Sequence, residues 1–190
     1  LLAGQTDVPD TTRAPMESYL RLMREAVLDT DRTLLEAATQ QMQTALISSR
    51  EIAESYVPAV ARKLGACWVE DTLDFRSVSV GSARLQALLW RLEEDWTKDK
   101  QRAVGRGANM LVVVPAGCQH TLGATVLTGQ LRRMGMNARL AIDVAPSELA
   151  NILQTKVFAG VMVSASSRES VETLRALVQA ARHTQPTTPI

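Results

Sequence analysis

Apolar residues recur every three or four positions from Ala14 onward: Met16, Tyr19, Leu20, Met23 and Val27 share one face of a predicted helix. Asp29-Thr30-Asp31 breaks the pattern and offers a cap for a second helix carrying Leu34, Leu35, Ala38 and Met42. Ser48 with Glu51 three residues on forms a capping box. It opens a third helix with Ile52, Tyr56, Val60 and Leu64, which Gly65 is placed to end. Pro58 falls inside that helix and predicts a kink. A fourth helix, over Ser77–Trp96, carries Val80, Leu85, Leu88, Leu89 and Leu92. Four helices with short connections predict a bundle over residues 14–97, with residues 1–13 a linker or tail.

After the charged, glycine-punctuated stretch 98–107, read as a linker, the period changes. Met110–Val114 is a continuous apolar run between Asn109 and Pro115, as expected of a strand buried on both faces. Helices over Leu122–Met134 (closed by Gly135), Ser147–Gln154 and Arg168–Thr184 then alternate with strands over Ala138–Val144 and Val157–Val163. The last helix places Val171, Leu174, Leu177 and Val178 on one face. Such alternation predicts a doubly wound parallel α/β domain over residues 108–190. A fourth strand would begin at Thr188-Pro189-Ile190, so the second domain reads as truncated.

Composition adds limits. With 46% hydrophobic and 22% charged residues the chain is an ordinary globular one, and a net charge of +1 advertises neither nucleic acid nor an anionic membrane. Cys67 and Cys118 are too few and too separate for a disulfide framework, which points to a reducing, cytoplasmic setting. The start lacks both a signal peptide and a Met, so Leu1 is expected to lie within a longer chain. No apolar run is long enough to cross a bilayer. Neither a Ser-His-Asp set, a phosphate loop, a zinc-ligand cluster nor a basic recognition helix is present, so the expectation is a binding domain, not an enzyme or a direct DNA binder.

Ligands of open parallel sheets sit at the carboxyl ends of the strands. Two loops occupy such positions, Pro115–Gly123 and Ser164–Ser167. The first contains His120, one of two histidines, with Cys118 and two glycines that allow close backbone approach. A loop histidine there suits an axial ligand of a metal macrocycle; it suits equally a residue capping the next helix. His183 reads as a solvated surface residue.

The spacing Gly117-x-x-His120-x-x-Gly123 resembles the cobalamin-binding signature, in which an acidic residue, one residue, His, two residues and Gly follow the first strand. The segment Tyr56–Trp68 is similar to the one joining bundle helices in cobalamin-dependent methyltransferases and regulators. The resemblance spans roughly Met16 to Ile190. It implies a cobalamin-binding-type fold with His120 on the metal, Gly117, Cys118, Thr121 and Gly123 around it, Ser164 and Ser166 along the ligand's tail, and Trp68 over the upper face.

Departures narrow the reading. Cys118 replaces the acidic partner of the histidine, and a thiol is a poor acceptor for an imidazole. Val78 and Ser79 stand where light-sensing cobalamin repressors carry Glu-His, and the second loop reads Ser-Ala-Ser in place of Ser-x-Leu. The chain is more similar to the AppA/PpaA/AerR group of photosynthesis regulators, through Leu64-Gly-x-x-Trp68-x-x-Asp71 and Val78-Ser-Val-Gly81-Ser-Ala-Arg84-Leu-Gln86. That resemblance implies a heme sensor, or alternatively a cobalamin one, acting as antirepressor of a PpsR/CrtJ-type transcriptional repressor. FAD would belong only to a preceding domain. A corrinoid carrier or methyltransferase subunit is the rival reading, and a cofactor-free binding domain a third. Cys118 is read either as a redox-sensitive or alternative ligand or as a small buried residue, and Trp68 either as a macrocycle cover or as core. Cys67 reads as packing, and Trp90 and Trp96 as packing or, if exposed, a partner surface.

Overall fold

The computed structural model describes residues 16–97, 107–166 and 170–190. The sequence-predicted tail, nearly all of the 98–107 linker and Ser167–Glu169 lie outside the described residues. Two helices of 12 residues each come first, α1 (Glu17–Leu28) and α2 (Thr33–Thr44). Between them the Asp31 carboxylate accepts from the Thr33 amide at 2.9 Å and its hydroxyl at 2.7 Å. Both halves of the capping box form at α3 (Ser49–Glu51).

The proline kink takes the form of a change in the hydrogen-bond ladder. A π-helical segment, Ile52–Tyr56, joins α3 to α4 (Val57–Val69), and Pro58 sits in the first turn of α4. The wide turn ahead of the ring accommodates a residue that has no N–H and would clash in a regular helix. Gly65 does not end this helix, contrary to expectation: α4 runs on to Val69, and the left-handed residue beyond it is Asp71 (φ 54°). The Thr72 amide and hydroxyl, each at 2.9 Å, take the Cys67 carbonyl instead, so the cap comes from the following turn. The last bundle helix is α5 (Phe75–Thr97), whose start is capped by the Asp74 carboxylate, 2.6 Å from the Ser77 amide.

Met23, Val27, Met42, Ile52, Val57, Leu64, Leu85 and Leu89 fill the bundle core. Leu34 and Val80, expected in that core, are instead exposed, because Leu35 and Leu85 already occupy the inward positions of their helices. Arg84 donates to the carbonyls of Val27 and Asp29, closing the end of α1.

The strands β1 (Asn109–Pro115), β2 (Asn137–Val144) and β3 (Gly160–Val163) form a parallel sheet in the order β2-β1-β3. Helix α6 (Leu122–Arg133) covers one face, where Val112 and Val114 meet Ala124 and Leu131. On the other face Leu111 and Val113 meet Leu149 of α7 (Pro146–Thr155) and Leu177 of α8 (Val171–Thr184). Alternate residues of β1 thus face opposite layers, as its continuous apolar run requires. The expected architecture, a helical bundle followed by a doubly wound parallel sheet, is present.

Details differ at two elements. β3 begins at Gly160, not Val157, because Gln185 holds the approach: its side chain accepts from the Phe158 amide and donates to the Leu153 and Lys156 carbonyls. Val171 is exposed at the start of α8, whose buried residues are Leu177 and Ala181 and whose Ser170 side chain caps the Thr173 amide. At the outer edge of β3 the Pro189 carbonyl accepts from the Val161 amide at 2.9 Å, so chain pairing continues there where a fourth strand was expected.

The two parts share a core. Val126 of α6 belongs to the bundle's apolar cluster and Leu122 packs against it. Arg133 of α6 pairs with Glu54 of the π segment at 2.9 Å, and Arg132 with Glu93 of α5.

Candidate functional site

With β1 central, its chain continues to α6 on one face while the β2–β3 crossover runs over the other. The loops after β1 and β3 therefore flank the point where the connections diverge, the usual ligand position in such sheets. Both sequence-predicted loops sit there. Ser164, partly buried, continues the ladder through its amide to the Val113 carbonyl at 2.8 Å, and Ser166 follows, also partly buried.

The β1 loop is shaped by a turn and by the end of β2. Gly117 has φ 77°, a left-handed conformation that a side chain would strain. Its amide donates to the Asp143 carboxylate at 2.8 Å, and the neighbouring Ala116 amide to the Val144 carbonyl at 3.1 Å. Asp143 itself is left-handed, φ 61°, where the ladder between β1 and β2 slips register. Cys118 turns inward and packs partly buried against the cluster under α6, which fits the reading of a small packed residue. His120, two residues on, is exposed. Thr121 precedes α6, and Gly123 in its first turn has open space around it.

The bundle contributes the opposite wall. Gln86 of α5 donates from Nε2 to the Thr125 hydroxyl at 2.8 Å, and the Thr121 hydroxyl reaches Gln86 Oε1 at 3.4 Å. Further along, Glu93 meets Arg132 and the Trp96 ring lies over Gly129. α5 and α6 therefore run side by side in the same sense, and α5 overshoots the first turn of α6. From Gln86 back to Phe75 is roughly 16 Å at about 1.5 Å per residue. On that overhang Ser82, Ser79 and Phe75 share the face of Gln86 by helical spacing. The overhang ends at Trp68 of α4, whose ring lies 6.3 Å from that of Phe75. This wall thus carries short side chains, with an aromatic pair at one end and an amide clamp at the other.

Of the sequence-predicted residues, Gly117, Cys118, His120, Thr121 and Gly123 form one continuous loop and helix start, with Ser164 and Ser166 on the adjacent loop. Trp68 belongs to the bundle wall. Cys67 is a free, partly buried thiol, Trp96 is buried against α6 and Trp90 is exposed. His183 is exposed at the end of α8. Two residues had no assigned part in the sequence reading: Gln86, noticed only as part of a motif, and Asp143. Among the described residues no three His, Cys, Asp or Glu side chains gather to hold a metal ion. No helix among them is long and apolar enough to cross a membrane. Surface hollows of about 510 and 380 Å³ lie around Tyr19 and Gln41, and neither is lined by the loop residues.

No family model matches the chain. The 1.5 Å crystal structure of a novel cobalamin-binding protein from Desulfitobacterium hafniense DCB-2 overlays 86% of this chain and 77% of its own, with a TM-score of 0.44 and 15% identity. An uncharacterized 20.5 kDa protein in the bchF-crtJ intergenic region of Rhodobacter capsulatus is 34% identical over 139 residues, 73% of this chain and 72% of that protein. The chain belongs to the family of that bchF-crtJ intergenic protein.

Proposed function

We propose that the chain is a tetrapyrrole-responsive regulatory domain, in which His120 would hold the metal and a transcriptional repressor of the PpsR/CrtJ type would be the partner. The observation that carries the reading is the juxtaposition of an exposed His120 with the overhanging, small-residue face of α5 at the carboxyl edge of the sheet. A single imidazole would be enough to hold a metal that a macrocycle already carries, so the site needs no cluster of protein ligands. When bound, the group would supply an iron or cobalt centre sensitive to redox state or light. Gly117 and Gly123 leave the backbone open to close approach, Ser164 and Ser166 offer hydroxyls along the adjacent edge, and Trp68 with Phe75 gives an aromatic surface at the bundle end. The coupling to a partner would run through Gln86, which holds the start of α6 against the middle of α5. A ligand held by His120 would bear on the adjacent Thr121, and Gln86, bonded to Thr121 and Thr125, would pass any displacement to the bundle. In this reading the chain senses and does not catalyse. The relative's place in a region named for crtJ supports a regulatory role.

The test is an absorption titration of the purified chain with hemin and, separately, with hydroxocobalamin, alongside His120→Ala. A shifted Soret band lost in the variant supports a heme sensor, and tight hydroxocobalamin binding lost in the variant supports a cobalamin one. Spectra unchanged by His120→Ala, or no saturable binding of either, overturn the reading.

A further inference from the structure

The outward face of α5 carries a second pattern, unrelated to the loop it overhangs. Val80, Ala83, Ala87 and Trp90 are all exposed, Val80 at 42% and Trp90 at 59%. Their spacing of three, four and three residues is the seam of a helix that packs along a partner helix. Arg76 and Glu94, both exposed, continue the same seam by four residues at either end. The buried side of α5 is satisfied separately by Leu85, Leu88, Leu89 and Leu92 in the bundle core. An exposed apolar stripe on a helix whose core face is already filled costs solvation and marks an interaction surface.

The order of side chains along this seam reads as its own complement. If a second α5 is laid antiparallel with the two-fold axis level with Leu85, Arg76 faces Glu94, Val80 faces Trp90 and Ala83 faces Ala87 of the other copy. The reverse set of contacts then follows by symmetry, as an isologous interface demands. Opposite charges meet at both ends, a large ring meets a smaller branched side chain, and alanines at the centre let the two helices approach closely. A parallel pairing would set Arg76 against Arg76 and Glu94 against Glu94, stacking like charges.

We propose that α5 is the interface of a homodimer, formed by antiparallel self-pairing along Arg76, Val80, Ala83, Ala87, Trp90 and Glu94. This interface is independent of the tetrapyrrole reading, since Gln86, Ser82, Ser79 and Phe75 lie on an adjacent face of the same helix.

Sedimentation equilibrium of the full chain tests it. The expected result is a reversible dimer that Trp90→Glu weakens by roughly tenfold or more, the size of losing a central aromatic anchor, with an unchanged far-ultraviolet circular dichroism spectrum. Because Trp90 is already exposed, that variant keeps the bundle core intact. Arg76→Glu alone and Glu94→Arg alone should each weaken the dimer, and the double exchange should restore it. A chain that stays monomeric to its solubility limit overturns the proposal. So does a dimer that Trp90→Glu leaves at its original strength, or single charge reversals that the double exchange fails to rescue.

Discussion

The Gln86 amide and the Thr125 hydroxyl, 2.8 Å apart, join the middle of α5 to the first turn of α6 at the point where the His120 loop ends. Thr125 in turn donates to the Thr121 carbonyl, so one side chain from the bundle organises the start of α6. Gln86→Leu removes the bonds to Thr125 and Thr121 and leaves partly buried hydroxyls to find water. The expected loss is about 1–2 kcal/mol, read as a lower urea midpoint with an unchanged slope. Amide exchange should also quicken at Leu122–Thr125 more than in β1, which a loss spread evenly over the chain would not produce.

Glycine substitutions should separate the residues that the fold needs from those it does not. A Cβ at Gly129 would lie 2.0 Å from a ring carbon of Trp96, which is only 3% exposed and wedged between bundle and α6. Gly129→Ala should cost about 1–3 kcal/mol by forcing that ring aside. Gly65, inside α4 with open space around it, should behave oppositely, with Gly65→Ala raising stability by roughly 0.5–1 kcal/mol. Thermal or urea unfolding of the pair decides both signs.

Gly123 offers a sharper distinction. Nothing in the folded chain lies near a Cβ there, and its helical backbone needs no special φ. Because Gly123 is the second residue of α6 and not a helix-interior position like Gly65, Gly123→Ala should leave the melting temperature within about a degree or two of wild type, a surface change of a few tenths of a kcal/mol. A loss of tetrapyrrole binding in a variant that folds normally would show that the glycine serves a ligand's approach.

Much of this was readable from the sequence because periodicity and burial coincide. The run Met110–Val114 announced a strand covered on both faces, and Ser48 with Glu51 fixed a helix start through hydrogen bonds local enough to leave a signature. Gly65 misled because glycine at a helix end and glycine in a helix interior look alike until the capping partner, here Thr72, is known. Val80 misled for another reason: a helix with an apolar outer seam has hydrophobic residues on two faces, and spacing alone does not say which faces the core. The loop with His120 was legible through the order of strand, glycine and histidine. Asp143 was not, since its tie to Gly117 spans 26 residues and joins two strand ends that only the sheet brings together.

Asp143 should behave as the anchor of that loop. Asp143→Ala removes the acceptor of the Gly117 amide and leaves a left-handed backbone that alanine tolerates poorly, so stability should fall by about 1–2 kcal/mol. Asp143→Asn keeps both a carboxamide acceptor and tolerance of positive φ, and should retain most of the wild-type stability. If the Ala and Asn variants unfold at the same denaturant concentration, neither the hydrogen bond to Gly117 nor the positive φ at Asp143 contributes to the stability of this corner.

The acid limb of the stability curve should report on the start of α5. The Ser77 amide, and after it the Ser77 hydroxyl, hold the Asp74 carboxyl below its ordinary value of 3.8, and nearby Arg76 adds to the effect. A carboxylate whose pKa is lower folded than unfolded contributes stability that is complete above the unfolded value and disappears as pH falls through the folded one. The Asp74 contribution is therefore present at neutral pH and lost in the region below about pH 4. Asp74→Asn retains a capping oxygen but cannot titrate. Its melting temperature should track that of the wild type at pH 7 and fall less steeply between pH 5 and pH 3, all other carboxylates being common to both proteins. Parallel curves over that range would mean that the charge on Asp74 is as well satisfied in the unfolded chain as at the α5 cap.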